Sequence, residues 1–256
     1  MKRVFDVSRE TTAMGTKLPK LERKDFDQRL ESLLSVEASF PLVFPDADAE
    51  SKSVSAGKVS IGSVSETEFL HWTERLWIHY ELLTQWNPRL SLVGPGTGVE
   101  VIERHYWESM LGLKLMMPSD KYLMDIGSGG GFPGFVLAAS NPELSVTLVE
   151  PREKKWSFLR SAIRKTDLLS CTALNARVEF PLSHSIDPAS EIDVVTSRAL
   201  TLPIEVLDAF LDDYPHVRIL LWVGLEDIAL PKQARIHRSI RLPGSDHRKI
   251  IEIVRR

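Results

Sequence analysis

A glycine-rich segment carries the clearest chemical signal in the sequence. Residues 125–134 read Asp-Ile-Gly-Ser-Gly-Gly-Gly-Phe-Pro-Gly and lie between two short apolar runs, 122–124 and 135–139. Glycines let the backbone turn tightly and approach a ligand without a Cβ in the way, and a helix that follows offers free N–H groups. The segment predicts a strand, a loop and a helix that hold a nucleotide-like cofactor. A turn without a ligand is the alternative, but three consecutive glycines cost much backbone entropy.

Two cofactors fit a loop of this kind. Gly129, Gly131 and Gly134 match the dinucleotide spacing, and Glu150 follows Gly129 by 21 residues, where a ribose-binding acid would stand. A carboxylate at the strand end repels a pyrophosphate, and Asp125 occupies that place. S-adenosylmethionine (SAM) carries a sulfonium and an ammonium, which favour nearby carboxylates. Asp125 therefore favours SAM, with Glu150 binding the ribose hydroxyls of its adenosine.

Composition limits the class of protein. The 256 residues are 43% hydrophobic, which suits one sizeable core with a small accessory part. The net charge of −3 gives no global basic field. Residues 232–256, however, hold eight Lys and Arg against Asp246 and Glu252. Charge alone favours a solvated terminal hairpin there, and a phosphate-contacting edge is the alternative.

Cysteine and hydropathy patterns point to a cytoplasmic protein without a metal site. The single Cys171 excludes a disulfide framework and a cysteine-based metal cluster, and its apolar neighbours predict a buried strand position. Lys2 and Arg3 are not followed by the apolar region of a secretory signal. No apolar run has the length of a membrane span, so no membrane partner is expected.

The first half of the chain predicts a helical part. We expect residues 1–24 to form a mobile tail, Asp25–Leu34 a short helix, and residues 37–63 an insertion without its own core. Residues 65–68 resemble a capping box. The apolar residues that follow at helical spacing predict a helix that ends near residues 86–88, because proline disfavours a helical residue before it; they are Phe69, Trp72, Leu76, Tyr80 and Leu83. A second helix is predicted over Val99–Leu115, which completes an N-terminal helical part spanning residues 25–115.

From Lys121 onward, strand and helix patterns alternate. The predicted strands are Tyr122–Ile126, Ser145–Val149, Cys171–Leu174, Asp193–Thr196 and Val217–Trp222, and the predicted helices are Pro133–Ala139, Arg152–Ile163 and Leu202–Leu211. Two last runs, Ile236–Leu242 and Lys249–Val254, predict an antiparallel pair. The pattern indicates an α/β domain over residues 116–256, with a mostly parallel sheet, helices on both faces and a terminal hairpin. Asp125, Glu150, residues 175–179 and Arg198 then meet at the carboxyl edge of the sheet, where ligands bind.

Five segments together resemble the RsmG (GidB) family of bacterial methyltransferases, which methylate N7 of a guanine in 16S ribosomal RNA. Besides residues 125–134 they are 86–92 (Trp-Asn-Pro-Arg-Leu-Ser-Leu), 103–109 (Glu-Arg-His-Tyr-Trp-Glu-Ser), 175–179 (Asn-Ala-Arg-Val-Glu) and 196–199 (Thr-Ser-Arg-Ala). The similarity runs from about Asp25 to the C-terminus. It implies a class I SAM-dependent methyltransferase fold, which is Rossmann-like, with SAM as cofactor and the small ribosomal subunit as partner.

The resemblance also implies roles for single residues. Gly127 and Phe132 would line the SAM site, to which the glycine spacing already assigns Gly129, and Val178 and Glu179 would lie near the adenine. Arg198 would lie at the rim, where its fork of donors suits the cofactor carboxylate or an RNA phosphate; a structural ion pair is the alternative. His105 is either a packing residue or a rim group, and the sequence favours packing.

Three positions depart from the family pattern. The family usually has Asn within residues 90–92, an Asp-Ser pair where this chain has Glu108 and Ser109, and Lys before Gly where this chain has Val223. The role of that lysine is then absent or taken by another basic group.

The implied reaction is in-line methyl transfer to guanine N7. N7 carries a lone pair and no proton, so no general base is required and no catalytic residue is assigned. Basic residues near the C-terminus would hold the RNA backbone, namely Arg235, Arg238, Arg241, Arg248 and Lys249. We expect a monomer. The alternatives are a methyltransferase acting on a protein or small molecule, a non-catalytic SAM-binding assembly factor, and a dinucleotide oxidoreductase.

Overall fold

The computed structural model describes residues 17–35, 66–94, 96–187, 189–199, 202–224, 228–242 and 244–256. The predicted insertion at residues 37–63 and Ser65, the first residue of the predicted capping box, lie outside this part of the chain. The helices are α1 (Arg23–Ser35), α2 (Glu66–Leu90), α3 (Glu108–Met110), α4 (Gly134–Ser140), α5 (Glu153–Lys165) and α6 (Ile204–Asp213).

The strands are β1 (Tyr122–Ile126), β2 (Ser145–Val149), β3 (Cys171–Leu174), β4 (Val194–Arg198), β5 (Arg218–Val223), β6 (Ala234–Arg241) and β7 (Lys249–Arg255). They form a seven-stranded sheet in the order β3-β2-β1-β4-β5-β7-β6. The first five are parallel, and β7 pairs antiparallel with β5 and β6. This confirms the predicted α/β fold. The carboxyl ends of β1, β2 and β4 lie side by side, because Asp125 is in register with both Leu148 and Thr196.

The N-terminal helical part shares its core with the α/β domain. The buried side chains of α1, α2 and residues 101–115 belong to one cluster with those of α4 and α5. Phe26 of α1 lies edge-on to the ring of Tyr106 with 5.4 Å between centroids, and Tyr106 in turn lies 5.1 Å from Phe132 of the glycine-rich segment. The opposite face of the sheet is covered by α6, with a second cluster of its own. The predicted aromatic stripe of α2 is therefore core, as expected.

The helical part differs from the sequence prediction at three places. Helix α2 does not end near residues 86–88 but continues through Pro88 to Leu90. Pro88 lies in the last turn, where it removes a single main-chain hydrogen bond. Asn87 compensates, since its main-chain oxygen accepts from the N–H of Ser91 at 2.9 Å and its Oδ1 from that of Val93 at 2.9 Å.

The second difference concerns Val99–Leu115, where one helix was predicted. The run is helical throughout, but it consists of a 3₁₀ turn (Gly98–Glu100), a π-helix (Ile102–Trp107), the short α3, and a second 3₁₀ turn (Leu111–Leu115). A π-helix widens the turn and often occurs at functional sites. Here it lets Tyr106 and Trp107 be fully buried while His105 stays close to Phe132, 4.9 Å between ring centroids.

The third difference is at the N-terminus. The described residues of the predicted tail, 17–24, pack against the core: Leu18 is buried, and the main-chain oxygen of Pro19 accepts a hydrogen bond from the hydroxyl of Tyr80 at 2.5 Å. Helix α1 already begins at Arg23, whose guanidinium pairs with Asp27 at 2.6 Å.

A buried ion-pair network ties the terminal hairpin to the helical part. Glu252 of β7 is fully buried and accepts from Arg218 at 2.7 Å and from both Nε and Nη2 of Arg238, at 2.6 and 2.7 Å. Both guanidinium groups also donate to the main-chain oxygen of Leu115, and Arg218 pairs with Asp120. Much of the basic charge near the C-terminus is thus used inside the fold.

Candidate functional site

The glycine loop after β1 has a backbone that favours glycine. Gly127, Gly129 and Gly131 have φ of 75°, 53° and 88°, in the left-handed region that side chains rarely adopt. The N–H groups of Gly127 and Ser128 both donate to the main-chain oxygen of Val149, at 2.8 and 3.1 Å. The loop is therefore tied to the end of β2, as expected for a cradle at the carboxyl edge of a parallel sheet.

Glu150 follows β2 directly and closes one side of the loop. Its Oε2 accepts from the N–H of Gly129 at 3.0 Å and its Oε1 from the N–H of Arg152 at 2.9 Å. Its main-chain oxygen accepts from the side-chain amide of Asn175 at 2.9 Å. A carboxylate has about four acceptor sites, so each oxygen of Glu150 retains capacity for a further donor.

Asp125 is fully buried beneath the loop. Its Oδ1 accepts from the hydroxyl of Thr196 on β4 at 2.7 Å, whereas its Oδ2 has no hydrogen-bond partner. Burial raises the pKa of Asp125 to about 6; the hydrogen bond from Thr196 limits that rise, and the charge of Glu150 adds to it. An acid in this setting responds strongly to a nearby positive charge.

Gly134 lets the first turn of α4 lie directly against Asp125. A Cβ at residue 134 would be 2.5 Å from the Cβ of Asp125 and 2.6 Å from Cδ2 of Leu148. Real Cβ atoms do not approach this closely, so any side chain here would move α4 away from the sheet. The third glycine of the dinucleotide-type spacing is therefore required here by the close packing of α4 on the sheet.

His79 of α2 supports the back of the loop, a role that was not predicted from the sequence. It is fully buried, and burial lowers its pKa to about 3, so the ring is neutral. Since the main-chain oxygen of Gly130, 2.9 Å from Nε2, can only accept, Nε2 carries the proton, and Nδ1 accepts from the hydroxyl of Tyr106 at 2.8 Å. The ring stacks on Phe135 with 4.4 Å between centroids. Its place in the buried stripe of α2, between Leu76 and Leu83, was the available signal.

Phe132 lies between the loop and the helical part. It is buried, and its ring contacts those of His79, His105 and Tyr106, with centroids 5.4, 4.9 and 5.1 Å apart. Its described ring contacts are therefore with the N-terminal helical part. Among the residues predicted near the adenine, Val178 is half-buried against the second core cluster, and Glu179 is exposed, 3.7 Å from the guanidinium of Arg177.

Arg198 and Arg248 meet at one carboxylate. Glu108 is buried and pairs with Arg198 at 2.7 Å and with Arg248. Burial raises the pKa of Glu108, and the two guanidinium groups oppose that rise. Arg198 also donates to the main-chain oxygen of Arg104 at 2.5 Å, while its buried Nη1 has no partner. The ion pair that was the alternative reading of Arg198 is present, and one donor group remains for a ligand.

His105 and Lys249 are the remaining residues that were considered for the site from the sequence. Burial lowers the pKa of His105, and Arg198, Arg104 and Arg248 lower it further; its Nε2 lies 2.9 Å from the hydroxyl of Thr97. Lys249 is exposed and is the cross-strand partner of Val223. Directly opposite residues of an antiparallel pair share a face, so Lys249 places its ammonium group on the side of the sheet to which position 223 belongs.

Within the described ranges, no group of three or more His, Cys, Asp or Glu could hold a metal ion. No helix in this part of the chain has both the length and the apolar character to cross a membrane.

The chain is similar to one family of proteins, both by family model and by individual relatives. The family model GidB, described as rRNA small subunit methyltransferase G, matches residues 73–214. "Ribosomal RNA small subunit methyltransferase G" of Desulfotalea psychrophila is 34% identical over 59% of this chain and 69% of that protein. The proteins of the same name from Jannaschia sp. and Paramagnetospirillum magneticum are 36% and 38% identical, over 54% and 56% of this chain and 68% and 65% of theirs.

Proposed function

The chain belongs to the GidB family of rRNA small subunit methyltransferases, and on this premise we propose that it transfers the methyl group of SAM to N7 of a guanine in 16S ribosomal RNA. The observation that carries the cofactor assignment is the pair of carboxylates, Asp125 and Glu150, on two sides of one glycine loop. Both are buried, which is costly unless a partner compensates the charge.

The donor set fits SAM. Its sulfonium and ammonium groups are cationic, and the buried, unpartnered Oδ2 of Asp125 is an acceptor that such a charge stabilises. Glu150 has acceptor capacity left on both oxygens for the ribose hydroxyls. Bound SAM supplies an electrophilic methyl group on sulfur, and the residues of this chain bind and orient it. Gly127, Gly129, Phe132, Val178 and Glu179 are the further residues that we assign to this site.

A dinucleotide is disfavoured by the same carboxylates. A pyrophosphate in the glycine loop would face Asp125 and Glu150, and like charges at short range oppose binding. Titration calorimetry with SAM and with NAD tests this directly. We expect SAM to bind, NAD to bind at least a hundredfold more weakly, and Glu150→Ala to weaken SAM by about tenfold or more. Tight NAD binding without SAM binding would overturn the assignment and favour an oxidoreductase.

Arg198 has two candidate roles at the rim of the site. Its Nη1 can hold the carboxylate of SAM or a phosphate of the RNA. Glu108 fixes the rest of the guanidinium, so little side-chain freedom is lost on binding.

The chemistry requires positioning rather than proton transfer. Guanine N7 has a lone pair and no proton, so we assign no general base. Holding donor and acceptor at attack distance contributes up to about 7–11 kcal/mol in favourable cases. The guanine must be unstacked, or already lie in a loop, to reach a buried site. Excluding water and stabilising the cationic purine that forms add to the rate.

On the RNA side, Arg248 and Lys249 remain candidates. Arg248 shares Glu108 with Arg198, so a bound phosphate would compete with that carboxylate. Lys249 is exposed beside Val223, and we propose that its ammonium group takes the part that the family's lysine plays at position 223.

Mapping N7-methylguanine in small-subunit RNA, from cells with and without the gene, tests the function. One modified guanine should disappear with the gene and return with wild-type protein. If SAM binds but no methylguanine changes, the substrate is a protein or small molecule, or the protein is a non-catalytic assembly factor.

A further inference from the structure

The basic residues that are free to bind an anionic partner differ from those that the charge count of the sequence indicates. Near the C-terminus, four of the eight basic side chains bind within the fold. Arg238 pairs with Glu252, Arg248 with Glu108, and Arg255 with Asp212; Arg256 donates to the main-chain oxygen of Ala234. Part of the charge surplus counted over residues 232–256 is therefore used within the fold, whereas Lys232, Arg241 and Lys249 remain exposed.

The N-terminal end of α5, by contrast, carries basic side chains that no acidic side chain of the described residues pairs with. Arg152, Lys154 and Lys155 stand at its N-terminal end, with Glu153 as the neighbouring acid. The helix macrodipole places partial positive charge there, so cations at this end are unfavourable. Arg164 and Lys165 in the last turn need no further explanation, because the dipole favours cations at that end. The three cations of the first turn have no such reason within the helix.

These cations form no salt bridge with any described residue. In the part of the chain that the structure describes, the side chains of Arg152 and Lys154 form no salt bridge, and both residues are exposed. Lys155 donates to the main-chain oxygen of Ser91 at 3.2 Å, a neutral partner. Burial lowers the pKa of Lys155, the charge of Arg152 lowers it further, and the charge of Glu150 partly opposes both effects. The group thus carries repulsion that an external anion would relieve.

The end of α2 extends this group of cations. The bond from Lys155 to Ser91 joins the two elements, and the rings of Trp86 and Phe158 pack beneath with 5.9 Å between centroids. Arg89, two residues before Ser91, is exposed and has no salt bridge among the described residues. We call Arg89, Arg152, Lys154 and Lys155 the α5 edge.

The α5 edge adjoins the glycine loop. Arg152 follows Glu150 by two residues, and its N–H donates to the Glu150 carboxylate that also binds Gly129. A chain of phosphates that leaves the site on this side meets the cations of two elements in succession.

From this arrangement we propose that the α5 edge binds the phosphate backbone of the substrate RNA next to the target nucleotide, whereas the surface of β6 contributes little. The inference rests on the proposed function, since it takes the partner to be ribosomal RNA. Lys and Arg that neutralise phosphates act on all sequences alike, and each contact adds about 0.7–0.9 to the salt slope.

The experiment compares two double variants that remove equal charge. Arg89→Gln/Lys154→Gln neutralises exposed residues of the α5 edge. Lys232→Gln/Arg241→Gln neutralises exposed residues at the other end of the sheet, before and at the end of β6. Binding of a 16S rRNA transcript is measured over a salt series, and the affinity for SAM is measured by calorimetry.

For the α5-edge variant we expect roughly tenfold weaker RNA binding near 0.1 M salt and a salt slope lower by about 1.4–1.8. Its SAM affinity should equal that of wild type, and the β6 variant should bind RNA like wild type. The inference is overturned if the α5-edge variant binds RNA as tightly as wild type, or if the β6 variant loses as much. If wild-type protein methylates rRNA, the proposed function stands whatever the two variants do. If wild-type protein binds no rRNA, both the proposed function and the role of the α5 edge are overturned.

Discussion

The imidazole of His79 donates from Nε2 to the main-chain oxygen of Gly130 over 2.9 Å, so a side chain of the N-terminal helical part holds the glycine loop of the α/β domain. Leu92 approaches the same residue from the end of α2, since a Cβ at Gly130 would lie 3.1 Å from its main-chain oxygen. The helical part therefore sets the shape of the loop as well as covering one face of the sheet.

Replacing His79 should consequently affect cofactor binding. In His79→Ala we expect the SAM dissociation constant to rise at least about tenfold and the free energy of unfolding to fall by about 2–4 kcal/mol, through a lost hydrogen bond and a cavity. Tyr106→Phe is the matched control, because it removes the bond to Nδ1 but keeps the one to Gly130; it should cost about 1–3 kcal/mol and leave SAM affinity unchanged. Unfolding in urea and calorimetry measure the two effects. A folded His79→Ala protein with wild-type SAM affinity contradicts the role.

The pKa of Asp125 predicts how SAM binding depends on pH. Burial raises that pKa to about 6, and a cationic ligand favours the ionised carboxylate, so binding releases a proton at low pH. The SAM dissociation constant should fall about tenfold between about pH 5 and pH 7 and then level off. Asp125→Asn should abolish this dependence, and its persistence in that variant would show that another group is responsible.

The same shift has a consequence for the ligand-free protein. A carboxyl group whose pKa is raised by folding stabilises the fold most below its usual pKa of about 4, and that contribution is lost as pH rises through about 6. Asp125→Asn should therefore raise the free energy of unfolding at neutral pH relative to wild type. Urea unfolding at several pH values measures this, and an equal or lower value in the variant argues against a charge cost at Asp125.

Gly134 should tolerate no side chain. Because a Cβ there would lie 2.5 Å from Asp125 and 2.6 Å from Leu148, both buried, Gly134→Ala should reduce the free energy of unfolding by about 1–3 kcal/mol. Gly224→Ala serves as the control, since a Cβ at that residue meets nothing within 4 Å. Equal stability of the two variants would mean that α4 can move away from β1 without cost.

The network at Glu252 should stabilise the protein at neutral pH. Burial alone would raise the pKa of Glu252, but hydrogen bonds and charges from Arg238 and Arg218 lower it. A lowered pKa contributes stability above about pH 4, and that stability is lost as pH falls through the lower value of the folded state. Glu252→Gln should cost about 3–5 kcal/mol at neutral pH and less in acid. Glu205→Gln, exposed on α6, should change little; a pH-independent loss in Glu252→Gln would exclude a charge effect.

Local pattern was sufficient to predict the α/β domain. Strands β1, β2 and β3 have the predicted bounds, because short apolar runs between turns leave few alternatives. The predicted end of α2 was wrong because Pro88 lies in the last turn, which Asn87 of the same helix stabilises by accepting hydrogen bonds from the N–H groups of Ser91 and Val93. The two partners of Glu108 lie 90 and 140 positions away along the chain, and those of Glu252 lie 34 and 14 positions away. Pairs so distant in sequence cannot be predicted by counting charges. His79 was missed for the same reason, since its partners Gly130 and Tyr106 lie far along the chain.

The central claim is methyl transfer to small-subunit RNA. Purified protein, SAM with a labelled methyl group, and 16S rRNA from cells that lack the gene should give close to one labelled N7-methylguanine per RNA, located at a single position. Asp125→Ala and Glu150→Ala proteins should give far less label under the same conditions. Wild-type protein that binds SAM but leaves the RNA unlabelled, or places the label on a nucleoside other than guanine, would contradict the account.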